Sequence, residues 1–141
     1  MTCSWDEARW RRFLGWLGNL NDGPDEVVRI EDAASACEGY RRGAKRANGD
    51  CLVFCHDDVE LLTKDPWSRI RDVLAEHDAV GLAGSDRLSD GCWANSGPEH
   101  TVGQGAWAES PEGPYQVTLY GDRFGVVPVE AFDGCLFAAR R

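Results

Sequence analysis

Apolar residues in the first 84 positions of the chain recur alternately at helical and at strand spacing. Residues 4–20 predict a helix, because their apolar positions recur every three or four residues after a capping box formed by Ser4 and Glu7. Residues 51–55, Cys-Leu-Val-Phe-Cys, predict an interior strand, because the run contains no polar alternation. Similar patterns predict a strand at 26–30, a helix from Ser35 to the Asn48-Gly49 stop, a helix that begins at Asp65-Pro66, and a strand at 79–83.

The alternation of helices and strands predicts an α/β fold in which right-handed crossovers build a mainly parallel sheet. The pattern changes after Gly84. Residues 85–114 are rich in Gly, Ser, Pro and Trp and predict a long irregular excursion, a kind of loop that is often functional. Strands are predicted again at 115–120 and 124–129, and a turn at the start of 132–139 leads into a last strand.

The composition excludes some classes of protein. Hydrophobic residues make up 43% of the chain and charged residues 28%, which is typical of a globular domain. The formal net charge is −9, which disfavours nucleic acid as a partner. No apolar run approaches membrane-spanning length, and residues 1–6 do not resemble a secretory signal. We therefore expect a cytoplasmic protein, or one that is peripheral to the inner face of the membrane.

The six cysteines predict free, buried thiols rather than a metal site or a disulfide framework. No pair has the C-x-x-C spacing of a structural zinc site. Cys51 and Cys55 lie four residues apart in a predicted strand, so we expect both side chains on one face of the sheet.

An acidic cluster directly follows the predicted interior strand. His56, Asp57, Asp58 and Glu60 stand at its C-terminal end, which is where ligands bind in parallel α/β sheets. Adjacent carboxylates repel each other unless a cation joins them, and Mg²⁺ or Mn²⁺ would bridge them to a diphosphate. The alternative is a solvated acidic turn without a ligand.

Three segments stand in a fixed order in the chain: Gly39–Glu60 with its His-Asp-Asp sequence, Val80–Gly84 followed by Trp93, and Asp133-Gly-Cys-Leu-Phe-Ala-Ala-Arg-Arg141. Together they resemble the family 2 glycosyltransferases, in particular the branch described as glycosyltransferase-like, with His-Asp-Asp in place of a D-x-D motif. The resemblance covers about residues 26–141 and implies a GT-A fold, a three-layer α/β/α sandwich with a mainly parallel sheet. Residues 1–84 would then form its nucleotide-binding half and residues 85–141 its loop and acceptor-side strands, within a single partial domain at 1–141.

The resemblance implies a role for each motif residue. Asp58 matches the acidic position that coordinates the metal, and His56 matches the position that reaches the nucleotide ribose. Asp57 would support the same substrate site. Asp133 matches the aspartate near the sugar and the acceptor, although its alternative role is to cap the turn before the last strand. Trp93 could contact the substrate, or it could cover an edge of the core.

Two expected segments of the family have no counterpart in the sequence pattern. The family begins with a strand that holds the nucleotide base, and no such strand is evident before Ser4. The family also has a catalytic carboxylate beyond the segment that here ends at Arg141. The chain therefore resembles a GT-A core trimmed at both ends. For the missing strand we predict either direct pairing of residues 26–30 with 51–55 or a dimer.

The functional hypothesis is a glycosyltransferase-like protein that binds a nucleotide-diphospho-sugar through Mn²⁺ or Mg²⁺. It would transfer the sugar to a glycan, a lipid-linked or a protein acceptor. One alternative is a truncated or non-catalytic module that binds the nucleotide-sugar. A second alternative is a metal-dependent phosphohydrolase that uses Asp57 and Asp58.

Overall fold

The computed structural model describes residues 1–110 and 113–141 and divides the chain into two compact units. The first unit comprises Met1–Val80 with Gly134–Arg141, and the second comprises Gly81–Asp133. The helices are α1 (Glu7–Leu17), α2 (Ala36–Arg46) and α3 (Pro66–Glu76). The strands are β1 (Thr2–Cys3), β2 (Arg29–Ile30), β3 (Cys51–Cys55), β4 (Ala79–Gly81), β5 (Ala83–Ser85), β6 (Thr101–Trp107), β7 (Gln116–Leu119), β8 (Ala131–Phe132) and β9 (Leu136–Arg140).

The first residues of the chain form a strand between β2 and β3. β1 pairs in parallel with β2, with Thr2 opposite Arg29. On its other side, the terminal nitrogen of Met1 donates to the Val53 carbonyl at 2.5 Å, and Met1 accepts from the Cys55 N–H at 3.0 Å. The predicted direct pairing of 26–30 with 51–55 is therefore wrong. A dimer is no longer needed to cover those strand edges.

The strand β9 returns along β3 in the antiparallel direction, with Cys51 opposite Arg140 and Cys55 opposite Leu136. These two strands and β4 form a three-stranded sheet in the order β3-β9-β4. One face of β3 and β9 contributes Cys55, Leu136 and Ala138 to the core of the first unit. Helices α1 and α3 complete that core with Phe13, Trp16, Leu17, Trp67, Ile70 and Leu74.

Helix α2 packs closely against the start of the chain through two glycines, Gly39 and Gly43. Gly39, Tyr40 and Gly43 are its buried residues, whereas Cys37 is exposed. The Tyr40 ring lies edge-on to the ring of Phe54, with the centroids 5.3 Å apart. Phe54 in turn stacks on Phe137, so the second face of the β3–β9 pair is covered by aromatic contacts.

The cysteines differ in exposure. Cys55 is buried, and this burial raises the pKa of its thiol to about 12. Cys37, Cys51 and Cys92 are exposed, so the expectation of buried thiols is wrong for these three residues.

Helices α2 and α3 begin where the sequence pattern predicts, whereas α1 begins later than predicted. The N-cap of α1 is Asp6, whose carboxylate accepts from the N–H groups of Ala8 and Arg9. Ser35 caps α2 as predicted and accepts from the Glu38 N–H. At α3 the side chain of Asp65 accepts no capping hydrogen bond. A residue distant in the sequence takes its place. The carboxylate of Asp22 accepts from the Ser68 N–H at 2.6 Å.

The second unit is built on a four-stranded sheet in the order β7-β6-β5-β8. Its ladders are antiparallel, with Gly84 opposite Val102 on one side and opposite Phe132 on the other. The predicted excursion at 85–114 thus contains a regular strand, β6, in addition to a short 3₁₀ turn at Trp93–Asn95. Residues 111 and 112 of that excursion lie outside the described residues.

The predicted fold class, a three-layer α/β/α sandwich with a mainly parallel sheet, is wrong. Only the two-stranded β1–β2 ladder is a parallel sheet in the described part of the chain, whereas the β3–β9, β5–β6, β5–β8 and β6–β7 ladders are antiparallel. The alternation of helices and strands predicts parallel pairing only for strands that are connected by a crossover helix. The strands after Gly84 are joined by turns and loops, and these allow antiparallel pairing.

Candidate functional site

Two loops leave the sheet of the first unit at the same edge. Met1 accepts and donates backbone bonds on either side of Phe54, the pattern of parallel neighbours, so β1 and β3 run in the same direction. Residues 4–6 follow the end of β1 and lead into α1. His56, Asp57 and Asp58 follow the end of β3. The His56 N–H donates to the Cys135 carbonyl at 2.9 Å, which fixes the start of this acidic turn.

The two carboxylates of the turn differ in exposure, and both lie near the guanidinium group of Arg9. The side chain of Asp57 is 12% exposed, whereas that of Asp58 is 56% exposed. Arg9 Nη1 lies 3.8 Å from Asp57 Oδ1 and 3.6 Å from Asp58 Oδ2. Arg9 belongs to the first turn of α1 and is not part of the sequence motif. The three side chains form a charged group with a net charge of about −1 at neutral pH.

The carboxylate oxygens of Asp57 and Asp58 fit a hard divalent cation whose other ligands come from water and from a bound phosphate group. Mg²⁺ and Mn²⁺ prefer carboxylate oxygens, and Mg²⁺ usually takes only one or two from the protein, with water and phosphate completing the shell. Asp57 and Asp58 supply that number. Within residues 1–110 and 113–141, no cluster of three or more metal-ligating side chains is present. A cation bound here would therefore depend on phosphate oxygens from its ligand.

An exposed tryptophan stands on the neighbouring loop. Trp5 follows Ser4 in the loop between β1 and α1, and 79% of its surface is exposed. The adjacent residues are fixed, because Ser4 is buried and Asp6 is the N-cap of α1. A large apolar ring on an ordered loop can stack on a planar or cyclic ligand.

In the second unit, the structure brings together two of the predicted site residues. The Trp93 indole N–H donates to Asp133 Oδ2 at 3.2 Å. Tyr120 lies edge-on to the same indole, with the ring centroids 5.0 Å apart. The backbone N–H of Asp133 donates to the Ala83 carbonyl at 2.8 Å, so this side chain stands beside the end of β8. Trp93 is thus held in one orientation by a carboxylate and a second ring.

A second charged group in the same unit involves residues that the motif analysis did not select. His100 Nδ1 lies 2.9 Å from Asp86 Oδ1, and Arg123 Nη1 donates a hydrogen bond to Asp86 Oδ2 at 2.6 Å. These two side chains hold the pKa of Asp86 below its ordinary value. Arg123 also donates to the His100 carbonyl at 2.7 Å. The group therefore ties the loops around β6 together.

The first unit contains a cavity of about 610 Å³ that is separate from the acidic turn. Its walls come from the core helices and from the segments that precede β2 and β3. His56, Asp57 and Asp58 are not among its lining residues. Its lining extends along β3 from Cys51 to Cys55 and stops short of the acidic turn that follows. The cavity therefore gives no support to the acidic site.

Comparison with known proteins identifies the family. The chain belongs to the glycosyltransferase-like family, whose model matches residues 1–141. No curated protein matches the sequence. The match confirms the resemblance predicted from the motifs and extends it over β1. Membership implies, in general terms, a sugar donor and an acceptor. No helix in the described part of the chain is long and apolar enough to cross a membrane.

Trp5 and Arg9 lie outside the sequence motif, although the structure places both in the segment that leads from β1 into α1, at the edge with the acidic turn. They were missed because β1 is only two residues long and gives no periodic signal. One signal was available: the predicted helix start near Ser4 and Glu7 places Trp5 and Arg9 in and just before the first turn of α1. The motif residues themselves fall into two groups, His56, Asp57 and Asp58 in the first unit and Trp93 and Asp133 in the second.

Proposed function

We propose that the protein binds a nucleotide-diphospho-sugar through a divalent cation and transfers the sugar to the hydroxyl group of an acceptor. In this reaction the bond between the anomeric carbon and the diphosphate oxygen breaks. A bond from the anomeric carbon to the acceptor oxygen forms, and the acceptor loses its proton. A glycan, a lipid-linked sugar or a protein could supply that hydroxyl.

The observation that carries the proposal is the pair of carboxylates at the end of β3 in a chain of this family. Asp58 is the more exposed of the two, and we assign it as the main metal ligand. Asp57 supports the same site with a carboxylate that is largely shielded from solvent. When bound, Mn²⁺ or Mg²⁺ would neutralise the diphosphate and act as a Lewis acid on the leaving nucleotide. His56 is assigned to the ribose.

Other residues are assigned to the organic parts of the substrates. Trp5 offers an exposed ring to the base, since stacking on an aromatic side chain does not depend on the identity of the base. Trp93 offers a ring whose orientation is fixed by Asp133. Rings of this kind pack on the apolar face of a sugar, and the carboxylate of Asp133 can accept a hydrogen bond from a hydroxyl group.

Thermal denaturation with a panel of ligands tests the proposal. UDP-, GDP- and dTDP-sugars are added with and without Mn²⁺, and the melting temperature is followed. We expect one nucleotide to stabilise the protein only when Mn²⁺ is present, by about 2.7 kcal/mol at 100 times its Kd. Asp58→Ala should abolish this stabilisation. Asp72→Ala, which removes an exposed carboxylate from α3, should retain it.

A response that does not require Mn²⁺, or that survives in Asp58→Ala, would rule out the assigned site. Sugar transfer is measured separately with a radiolabelled donor. Nucleotide binding without transfer would identify a binding module in place of an enzyme.

A further inference from the structure

Arg9 lies between the two carboxylates without being locked to either. Its Nη1 atom stands 3.8 Å from Asp57 and 3.6 Å from Asp58, whereas charge-assisted hydrogen bonds measure about 2.7–2.9 Å. Half of its side chain is exposed, at 51%. Ion pairs of this kind contribute little stability, on the order of 0–1 kcal/mol. Arg9 can therefore leave the carboxylates at small cost.

The position of Arg9 relative to the backbone is nevertheless fixed. It is the third residue of α1, and its N–H donates to the Asp6 carboxylate at 2.9 Å. The helix start holds the Cα atom beside the acidic turn, while the long side chain can change direction. The guanidinium group remains within reach of any ligand bound at Asp57 and Asp58.

A divalent cation and the guanidinium group cannot share the same carboxylate oxygens. Both are positive, and like charges a few ångströms apart repel each other strongly near a protein surface. Binding of a cation would displace Arg9 towards solvent, from where its long side chain could reach a diphosphate bound to the same cation. The planar fork of an arginine matches phosphate oxygens in two places at once.

We propose that Arg9 is an exchangeable counter-cation of the site. It neutralises Asp57 and Asp58 in the absence of ligand, releases them when a divalent cation binds, and then contacts the diphosphate. This role rests on the proposed function and assigns a residue outside the motif to binding of the donor. Arg9 thus couples the affinity for metal to the presence of diphosphate.

Two binding measurements with opposite expected signs test the role of Arg9. Binding of Mn²⁺ alone is followed by the electron paramagnetic resonance signal of the free ion. Binding of inorganic pyrophosphate in saturating Mn²⁺ is followed by calorimetry. For Arg9→Gln we expect about two- to fivefold tighter binding of Mn²⁺ alone, because a competing charge is removed. We expect at least threefold weaker binding of pyrophosphate, because a phosphate contact is lost.

Two further variants serve as controls. Arg12→Gln removes an exposed charge from the same helix and should leave both affinities unchanged. Arg9→Lys keeps the charge without the fork, so its affinity for Mn²⁺ alone should stay near that of the wild type. Its affinity for pyrophosphate should lie between those of the wild type and Arg9→Gln.

Three results would overturn the role of Arg9 while leaving the metal site in place. These are unchanged affinities in Arg9→Gln, a parallel loss of both, and a parallel gain of both, provided that Asp58→Ala still abolishes Mn²⁺ binding. If neither the wild type nor Arg9→Gln binds Mn²⁺ with or without pyrophosphate, the proposed function fails together with this inference.

Discussion

Adjacent residues at the end of β3 have different surroundings, although both are aspartates. Both carboxylates belong to the turn that follows the strand, and both lie within 4 Å of Arg9 Nη1. Asp58 is 56% exposed and Asp57 only 12% exposed. This difference supports the assignment of Asp58 as the residue that meets a ligand, an assignment first made from the motif. It remains a prediction.

The exposed ring of Trp5 leads to a prediction at the scale of one residue. Stacking between a base and an aromatic ring contributes about 1–3 kcal/mol per base. We expect Trp5→Ala to weaken binding of the preferred nucleoside diphosphate about tenfold or more, measured by calorimetry in the presence of Mn²⁺. Because Trp5 is exposed and outside the core, the melting temperature of the ligand-free protein should change little.

Phe124→Ala is the matched control, because Phe124 is an equally exposed aromatic residue in the second unit. It should bind the nucleotide like the wild type. Equal binding by Trp5→Ala and the wild type would contradict the role of the indole.

At the scale of elements, the contact between α2 and β1 depends on the absence of side chains. A Cβ atom on Gly39 would overlap Cys3 Sγ and lie 2.8 Å from the Cβ atom of Ala33. A Cβ atom on Gly43 would lie 2.9 Å from Met1 Sδ. These two glycines lie four residues apart and therefore on one face of α2. They allow the helix to approach β1 closely, and this approach supports the short strand beside β3.

Two glycine substitutions should have opposite effects on stability. Gly15→Ala in α1 meets no atom within 4 Å, so it should stabilise the protein by roughly 0.5–1 kcal/mol through helix propensity. Gly39→Ala in α2 has the same propensity gain but should destabilise the protein by about 1–3 kcal/mol through overpacking. Urea denaturation followed by circular dichroism measures both. Equal shifts of the two midpoints would show that the contact with β1 is not tight.

At the scale of the whole molecule, acidic residues dominate the response to pH. The formal net charge is −9 and the sequence pI is about 4.7, so charge repulsion decreases as the pH falls towards that value. Several carboxyl groups are hydrogen-bonded in the folded state. The backbone N–H groups of Arg9 and Ala8 lower the pKa of Asp6, and His100 and Arg123 lower the pKa of Asp86.

We predict that stability is retained between pH 7 and 5 and is lost at lower pH. A carboxyl group with a lowered pKa stabilises the folded state fully above its ordinary pKa, near 4. This contribution declines as the pH falls from there through the lowered value, because the unfolded chain takes up the proton first. The free energy of unfolding from urea titrations at pH 7, 5, 4, 3 and 2 should therefore decrease over the last three steps.

Asp86→Asn provides the control for this effect. Without an ionisable group at position 86, the decrease between pH 4 and pH 2 should be smaller than in the wild type. Parallel curves for the two proteins would show that Asp86 does not contribute to the acid transition.

The sequence by itself determined the three helices, the central strand β3 and the composition of the acidic turn. Helical spacing located α1, α2 and α3, and the uninterrupted apolar run located β3 at its observed bounds. These features depend on residues close together in the chain. The family was also evident from the sequence, because its motifs are short segments in a fixed order, and the family model confirms it.

Only the tertiary structure decided the strand directions and the neighbours of the acidic turn. Whether β9 runs parallel or antiparallel to β3 depends on pairing between residues about 85 positions apart, for which a local pattern carries no signal. A two-residue strand such as β1 exists only because β2 and β3 bind it on both sides. The same contacts bring Arg9 to Asp57 and Asp58, almost 50 residues away. The acidic residues Asp57 and Asp58 could thus be identified from the sequence, whereas the arginine beside them, Arg9, could be identified only from the folded chain.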